Sequence, residues 1–310
     1  VNKLTVMLLC ATLCLSGIVA GKVSAEQTGI SPVDPVCVST TSTERVVMFM
    51  PSQPSRVFLT LLSDPSVDVI ELDGVYHLPY LIINIDRTRP VIVRPAAGAT
   101  AVLSGASVGR DPQFSFGLGG VAGNIIMEGL VFDGFVLGQQ GIVYALDCHD
   151  ITLNDMVVRN CRADARYAQA YHAWALYLSS TATAHVTNFR ADGWTIDGSD
   201  RRMSALQIYG GSHISVNRWS VANAYYAIFA SSTRGPLTDF TVDDWSISTT
   251  GSSEDVAVYI ENSSGRYSNV RTTATGFFIN IGRPKLVDGG GNSLLVLRMG
   301  GTFSLTRQSY

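Results

Sequence analysis

The sequence predicts an all-β solenoid of about eight coils, with three short strands in each coil. Two observations lead to this. Five segments share one pattern, apolar–any–apolar, a short polar residue, then any–bulky apolar–any–apolar. They begin at Ile125, Ile151, Phe189, Ile214 and Phe240, with spacings of 26, 38, 25 and 26 residues. Periods of 20 to 50 residues mark stacked units that bury their apolar edges against neighbours. A second pattern, small–apolar–any–apolar–any, interleaves with the first at Gly141–Ala145, Ala175–Ser179, Ala205–Tyr209, Ala227–Ser231, Ala257–Glu261 and Gly276–Asn280. Two-residue alternation over four or five positions is strand. With no helical segment between strands, a doubly wound sheet is excluded, and coils one strand spacing apart remain.

Taken in order, residues 1–25 read as a secretory leader. Lys3 supplies positive charge, Leu4 to Ala20 is mostly apolar, and Val23 and Ala25 give the small–x–small pattern before cleavage. A lipoprotein anchor at Cys10 or Cys14 and a retained anchor helix are the alternatives. Cleavage makes the chain secreted, extracellular or periplasmic, with no membrane segment after leader removal. Residues 26–65 form a linker and cap: Pro51 and Pro54 precede Arg56-Val-Phe-Leu-Thr-Leu-Leu, a short helix that would close the end of the stack. Residues 66–285 carry the coils. Residues 286–310 are a C-terminal cap or tail.

Within each coil the apolar pair (Ile125 and Met127, Ile151 and Leu153, Phe189 and Ala191, Ile214 and Val216, Phe240 and Val242) is followed by Glu128, Asn154, Asp192, Asn217 or Asp243. These short polar residues are expected to stack at a bend and satisfy its backbone groups. Leu130, Met156, Trp194, Trp219 and Trp245 come next. Three of the four tryptophans in one register predict an indole stack in the core.

Composition bounds the function. Of 310 residues 46% are hydrophobic and 15% charged, and a net charge of -3 leaves no footprint for nucleic acid. Leader removal would leave Cys37, Cys148 and Cys161, either as one bridge with an odd thiol or as buried thiols. No cofactor motif is present. His149 beside Asp147 and Asp150 is the one metal-like grouping, and no metal site is assigned.

The segment Asp68-Val-Ile-Glu-Leu-Asp-Gly-Val-Tyr76, followed by Arg89-Pro-Val-Ile-Val-Arg94 and Val102-Leu-Ser-Gly105, is similar to the first coils of secreted polysaccharide lyases. The Asn/Asp column resembles an asparagine ladder. Over about residues 66–285 the chain resembles the right-handed parallel β-helix, or pectate-lyase-like, superfamily. The resemblance implies a substrate groove above the first strand of each coil, flanked by the longest loops. Acids for the calcium site of pectate lyases and the paired-Asp motifs of polygalacturonases are missing. After leader removal the only lysine is Lys285.

Alternation gives that groove two outward columns. One is Val143, Tyr177, Gln207, Phe229, Tyr259 and Phe278; the next is Ala145, Ser179, Tyr209, Ser231, Glu261 and Asn280. The loops over residues 159–172 and 197–202 overhang it and bring Arg162, Arg166, His172, Arg201 and Arg202. Arginine pairs bidentately with carboxylates, so a uronic-acid polymer is a natural guest. In a β-elimination, Arg201 or Arg202 would neutralise the substrate carboxylate and His172 or Tyr209 would be the base. Tyr177, Gln207, Phe229, Tyr259, Glu261, Arg162 and Arg166 would hold the sugar. Hydrolysis needs two carboxyl groups, and the columns offer one, Glu261. A non-catalytic surface, adhesive or structural protein is the alternative to the polysaccharide-recognising reading, and a glycoside hydrolase is the second. The partner expected is an extracellular polysaccharide, with monomer and trimer both open.

Overall fold

A computed structural model describes residues 44–77, 81–105, 116–137, 141–164, 173–181, 184–198, 203–248, 256–263, 265–272, 277–281, 286–292 and 295–298. Residues 1–43 and 299–310 lie outside these. The chain winds into a parallel β-solenoid of about seven turns, close to the eight expected. Its first face is a nine-stranded sheet in strict sequence order, from Leu81–Ile83 through Gly141–Leu146, Trp174–Ser179, Ser204–Tyr209, Tyr226–Ser231 and Val256–Glu261 to Leu295–Arg298. The second face holds Val69–Leu72, Asp86–Pro95, Gly123–Glu128, His149–Asn154, Thr187–Asp192 and Gly211–Asn217. The third holds Gly74–Tyr76, Ala101–Ser104, Leu130–Asp133, Val157–Arg159, Thr195–Asp197 and Ser220–Ala222. Strand Leu237–Ser248 runs through the corner, so the second and third faces count as one sheet of sixteen strands.

The repeat pairs in the register read from sequence. Ile151 lies beside Ile125 and Phe189, and Ile214 beside Phe240. These residues fill the interior with the third-face positions Phe132, Val158, Ile196, Val221 and Ile247. Trp194, Trp219 and Trp245 are fully buried and stack with ring centroids 4.9 and 4.6 Å apart. An indole cannot be buried cheaply with its N–H unmet. Each Nε1–H donates to a carbonyl on the preceding coil: Leu153 at 3.0 Å, Ala191 at 3.2 Å and Val216 at 2.9 Å.

The polar column after the apolar pair works differently from the expectation. The bend falls one residue later, at left-handed Gly129, Asp155, Gly193, Arg218 and Asp244. Backbone N–H groups of Asp155, Gly193 and Arg218 donate to the carbonyls of Asp192, Asn217 and Asp243 on the following coil. The main chain thus satisfies its own corner. The side chains bond one another instead: Asn154 to Glu128, Asn269 to Asp243, and Arg190 and Arg218 to Asp192.

The expected capping helix is Ser55–Ser63, which buries Phe58, Leu61 and Leu62. Phe58 packs on Phe49 and Phe116 at 5.3 and 6.2 Å, closing the first coils from above. Buried Arg87 donates to the carbonyls of Leu62, Asp64, Val67 and Arg89, tying the helix end to the second face. No helix among the described residues is long and apolar enough to cross a membrane. Cys148 and Cys161 are buried free thiols, and burial pushes both up to about 12. Cys37 lies outside the described residues.

Candidate functional site

The outer side of the first face carries an aromatic cluster separate from the core. It contains Tyr144, Trp174, Tyr177, Tyr209, Tyr225, Tyr226, Phe229 and Tyr259. Strand pairing explains how these rings meet. Tyr144 lies beside Tyr177, Tyr177 beside Gln207, Gln207 beside Phe229, and Phe229 beside Tyr259, in one column crossing five coils. Parallel coils bring equivalent positions about 4.8 Å apart, which is stacking distance for rings. Phe229 and Tyr259 stack at 4.5 Å and 7°, and Tyr177 meets Tyr209 at 5.9 Å, which meets Phe229 at 5.8 Å. Trp174 and Tyr226 stack at 6.0 Å one position earlier along their strands.

Those two rings sit on the outside because the alternation breaks. The pairing steps from Trp174 to Leu176 and from Tyr226 to Ile228, skipping one residue each time. Ala175 and Leu176 both belong to the interior cluster, as do Ala205 with Leu206 and Ala227 with Ile228. Two successive inward residues return the next outer position to Trp174 or Tyr226. The small side chain at the first inward position lets the coil close there.

The sequence-derived columns hold in register from Tyr177 to Tyr259 and from Ser179 to Glu261, and fail at both ends. Val143 pairs with Leu176 and Ala145 with Leu178, and both are fully buried in the core. The outward residues of that coil are Tyr144 and half-buried Leu146. The error is a one-residue slip: Gly141 matches Trp174, not Ala175. At the other end an irregularity near Val256 pairs Phe278 with Val258 and Asn280 with Ile260, one position away from the columns expected. The platform is also less open than an exposed aromatic strip. Tyr177, Gln207 and Tyr259 are only 6–7% exposed, whereas Tyr144, Tyr209, Tyr225 and Phe229 are half-buried. Burial, and then the Glu261 carboxylate, push the Tyr259 hydroxyl up to about 12.

The next outward column is Ser179, Tyr209, Ser231 and Glu261. Its charged neighbour comes from a turn the sequence reading passed over, Ser232–Gly235, closed by the Gly235 N–H donating to the Ser232 carbonyl. The turn lies flat on Gly210, which has φ 78° and where a Cβ would sit 3.0 Å from the Gly235 oxygen. That close approach swings half-buried Arg234 back across the strand. Its guanidinium lies 4.8 Å over the Tyr209 ring, and Nη1 donates to Ser179 Oγ at 3.1 Å. Glu261, also half-buried, accepts from Ser231 Oγ at 3.3 Å. Among the described residues, neither charge has an opposite charge within ion-pair distance. Arg234 was legible only as a basic residue in a Ser-Thr-Arg-Gly-Pro turn directly after a groove strand. Trp174 and Tyr226 were missed because strict alternation put them inside.

Of the other expected site residues, His172, Arg166, Arg201 and Arg202 lie outside the described residues. Arg162 is exposed in a separate two-stranded ladder, where it pairs with Val136. His149 does not face Asp147, which accepts from the Thr181 N–H instead. Its ring nitrogens meet Asp150 at 2.8 Å and Asp86 at 3.5 Å. Among the described residues no group of three or more His, Cys, Asp or Glu is placed to hold a metal ion.

No protein-family profile matches the chain, and no curated protein matches it. Among solved structures it is similar to the catalytic domain of a GH87 alpha-1,3-glucanase, seen in complex with nigerose and, as a point variant, with tetrasaccharides. Each alignment has 12% identity and a TM-score of 0.34, covering 88% of this chain and 71% of that one. Identity at this level leaves the chemistry to be read from this chain's own residues.

Proposed function

We propose that this is a secreted β-solenoid protein that recognises an extracellular polysaccharide on the outer side of its first face. The observation that carries the reading is the second aromatic cluster. Eight large rings gather in a cluster of their own, separate from the one that fills the solenoid interior. An apolar strip with a few polar groups at its edge is a sound binding surface, and sugar rings stack on aromatic faces. Tyr144, Tyr209, Tyr225 and Phe229 are its half-buried members, with half-buried Arg234 and Glu261 alongside and buried Ser179 and Ser231 bonding those two charges.

The lyase form of this reading assigns β-elimination on a uronic-acid-containing polymer. Tyr209 or His172 would be the base, and Arg201 or Arg202 would neutralise the carboxylate. Glycoside hydrolysis is less well supported, because Glu261 is the one acid among the described members of the two outer columns. The burial of Tyr177, Gln207 and Tyr259 favours a different reading, in which the cluster is structural and the solenoid is a spacer. A glycan array separates them. Recognition predicts binding that falls roughly 10-fold or more in Tyr209→Ala and Phe229→Ala, at unchanged melting temperature. Incubation with uronic-acid polymers, followed by absorbance of the unsaturated product, tests the lyase. A chain that binds no glycan on the array is a spacer.

A further inference from the structure

The charges on the candidate face sit apart and unequally. Arg234 and Glu261 flank the same outward column. Tyr209, under the guanidinium, is separated from Glu261 by Ser231, so the two charges stand roughly 10 Å apart along the stack. Arg234 is held at one end by the Tyr209 ring and by Ser179, fifty-five residues earlier in the chain. This leaves guanidinium donors unused by any described carboxylate, and a preorganised guanidinium is the side chain best suited to a planar or tetrahedral anion. Glu261 at the other end repels anions. Ser231 Oγ donates to its carboxylate at 3.3 Å.

From this geometry we infer that Arg234 is the anion-selecting residue of the face. The glycan it selects carries a carboxylate or sulfate on one sugar and uncharged sugars toward half-buried Glu261. The inference rests on reading this face as the polysaccharide-binding face. It narrows the ligand to polymers whose charges are spaced, as distinct from those charged on every residue. Arg234 acts as a binding residue, and no covalent step is assigned to it.

Titration of the full chain against four immobilised polymers tests this. They are hyaluronan, whose uronates alternate with neutral sugars; keratan sulfate, whose sulfates sit on its N-acetylglucosamines and which has no uronate; polygalacturonate, charged on every residue; and dextran, uncharged. Arg234→Gln should weaken hyaluronan or keratan sulfate binding roughly 10- to 100-fold, with Arg234→Lys in between. Loss on one of these two polymers and not the other tells carboxylate from sulfate. Glu261→Gln should strengthen polygalacturonate binding severalfold relative to dextran. Thermal melts of each variant keep misfolding from passing as lost binding. Acidic glycans bound equally by wild type and Arg234→Gln would overturn the assignment of Arg234 while leaving glycan recognition standing. Polygalacturonate bound tightest by wild type would overturn the spacing. Absence of binding to all four polymers and to the array would overturn both the inference and the reading it rests on.

Discussion

At the scale of single residues, the molecule separates polar groups that bond from polar groups that only occupy a corner. Asp192 is a bonding case. Its side chain is 5% exposed, and burial alone would raise its pKa. Hydrogen bonds at 2.7 Å from both Arg218 and Arg190 outweigh that and hold it below the ordinary aspartate value. A folded pKa below the unfolded one, near 3.9, gives stability that is fully present above that pH and lost as pH falls through the folded value. The urea midpoint should therefore drop as pH is lowered below about 4, and Asp192→Asn should flatten part of that drop. Identical acid profiles for the two proteins would mean the pair contributes nothing. Asp64 and Asp150 are also held low by hydrogen bonds, so the slope is reduced and not abolished. Trp219 shows the apolar counterpart: its indole is sandwiched between two others and bonded at its only polar atom. The sequence showed the period of those tryptophans, but not that each N–H would find a carbonyl one coil back.

At the scale of elements, the first face turns on register. Gly141–Leu146 and Trp174–Ser179 look alike when aligned small residue to small residue, yet the backbone pairs them one position apart. Hydrophobicity could not decide between them, because Ile142, Val143, Tyr144, Ala145 and Leu146 are all apolar and either phase buries only apolar residues. Packing decides, since Val143 and Ala145 are fully buried in the interior and Tyr144 reaches Tyr177 at 5.1 Å. The consequence is testable. Val143→Asp buries an unpaired carboxylate and should cost about 4 kcal/mol or prevent folding, whereas Tyr144→Asp on the outer side should cost about 1–2 kcal/mol. Denaturant unfolding of both variants reads the difference, and the reverse order would restore the phase read from sequence. The skipped residues Ala175, Ala205 and Ala227 belong to the same lesson. A repeated alanine looked like a strand start, and it is the place where a strand bends.

At the scale of the whole molecule, each coil touches mainly the coils before and after it, so stability should vary along the stack as a sum of neighbour interactions. Native-state hydrogen exchange should be slowest in the coils around Trp194, Trp219 and Trp245 and faster toward Val46 and Arg298, and uniform protection along the stack would contradict this. The repeat by itself determined that stack. A fixed spacing of apolar pairs, a bend residue and a bulky core residue has one economical burial, coil on coil, and the indoles inside follow from their period. What surrounds the stack was decided only in three dimensions. A turn that lies on Gly210 places Arg234 over a ring twenty-five residues away in sequence and beside a serine fifty-five residues away. Periodicity reports which residues share a face. It carries no record of how far a loop folds back over that face, because the approach depends on backbone φ, on the missing Cβ and on the neighbouring coil together.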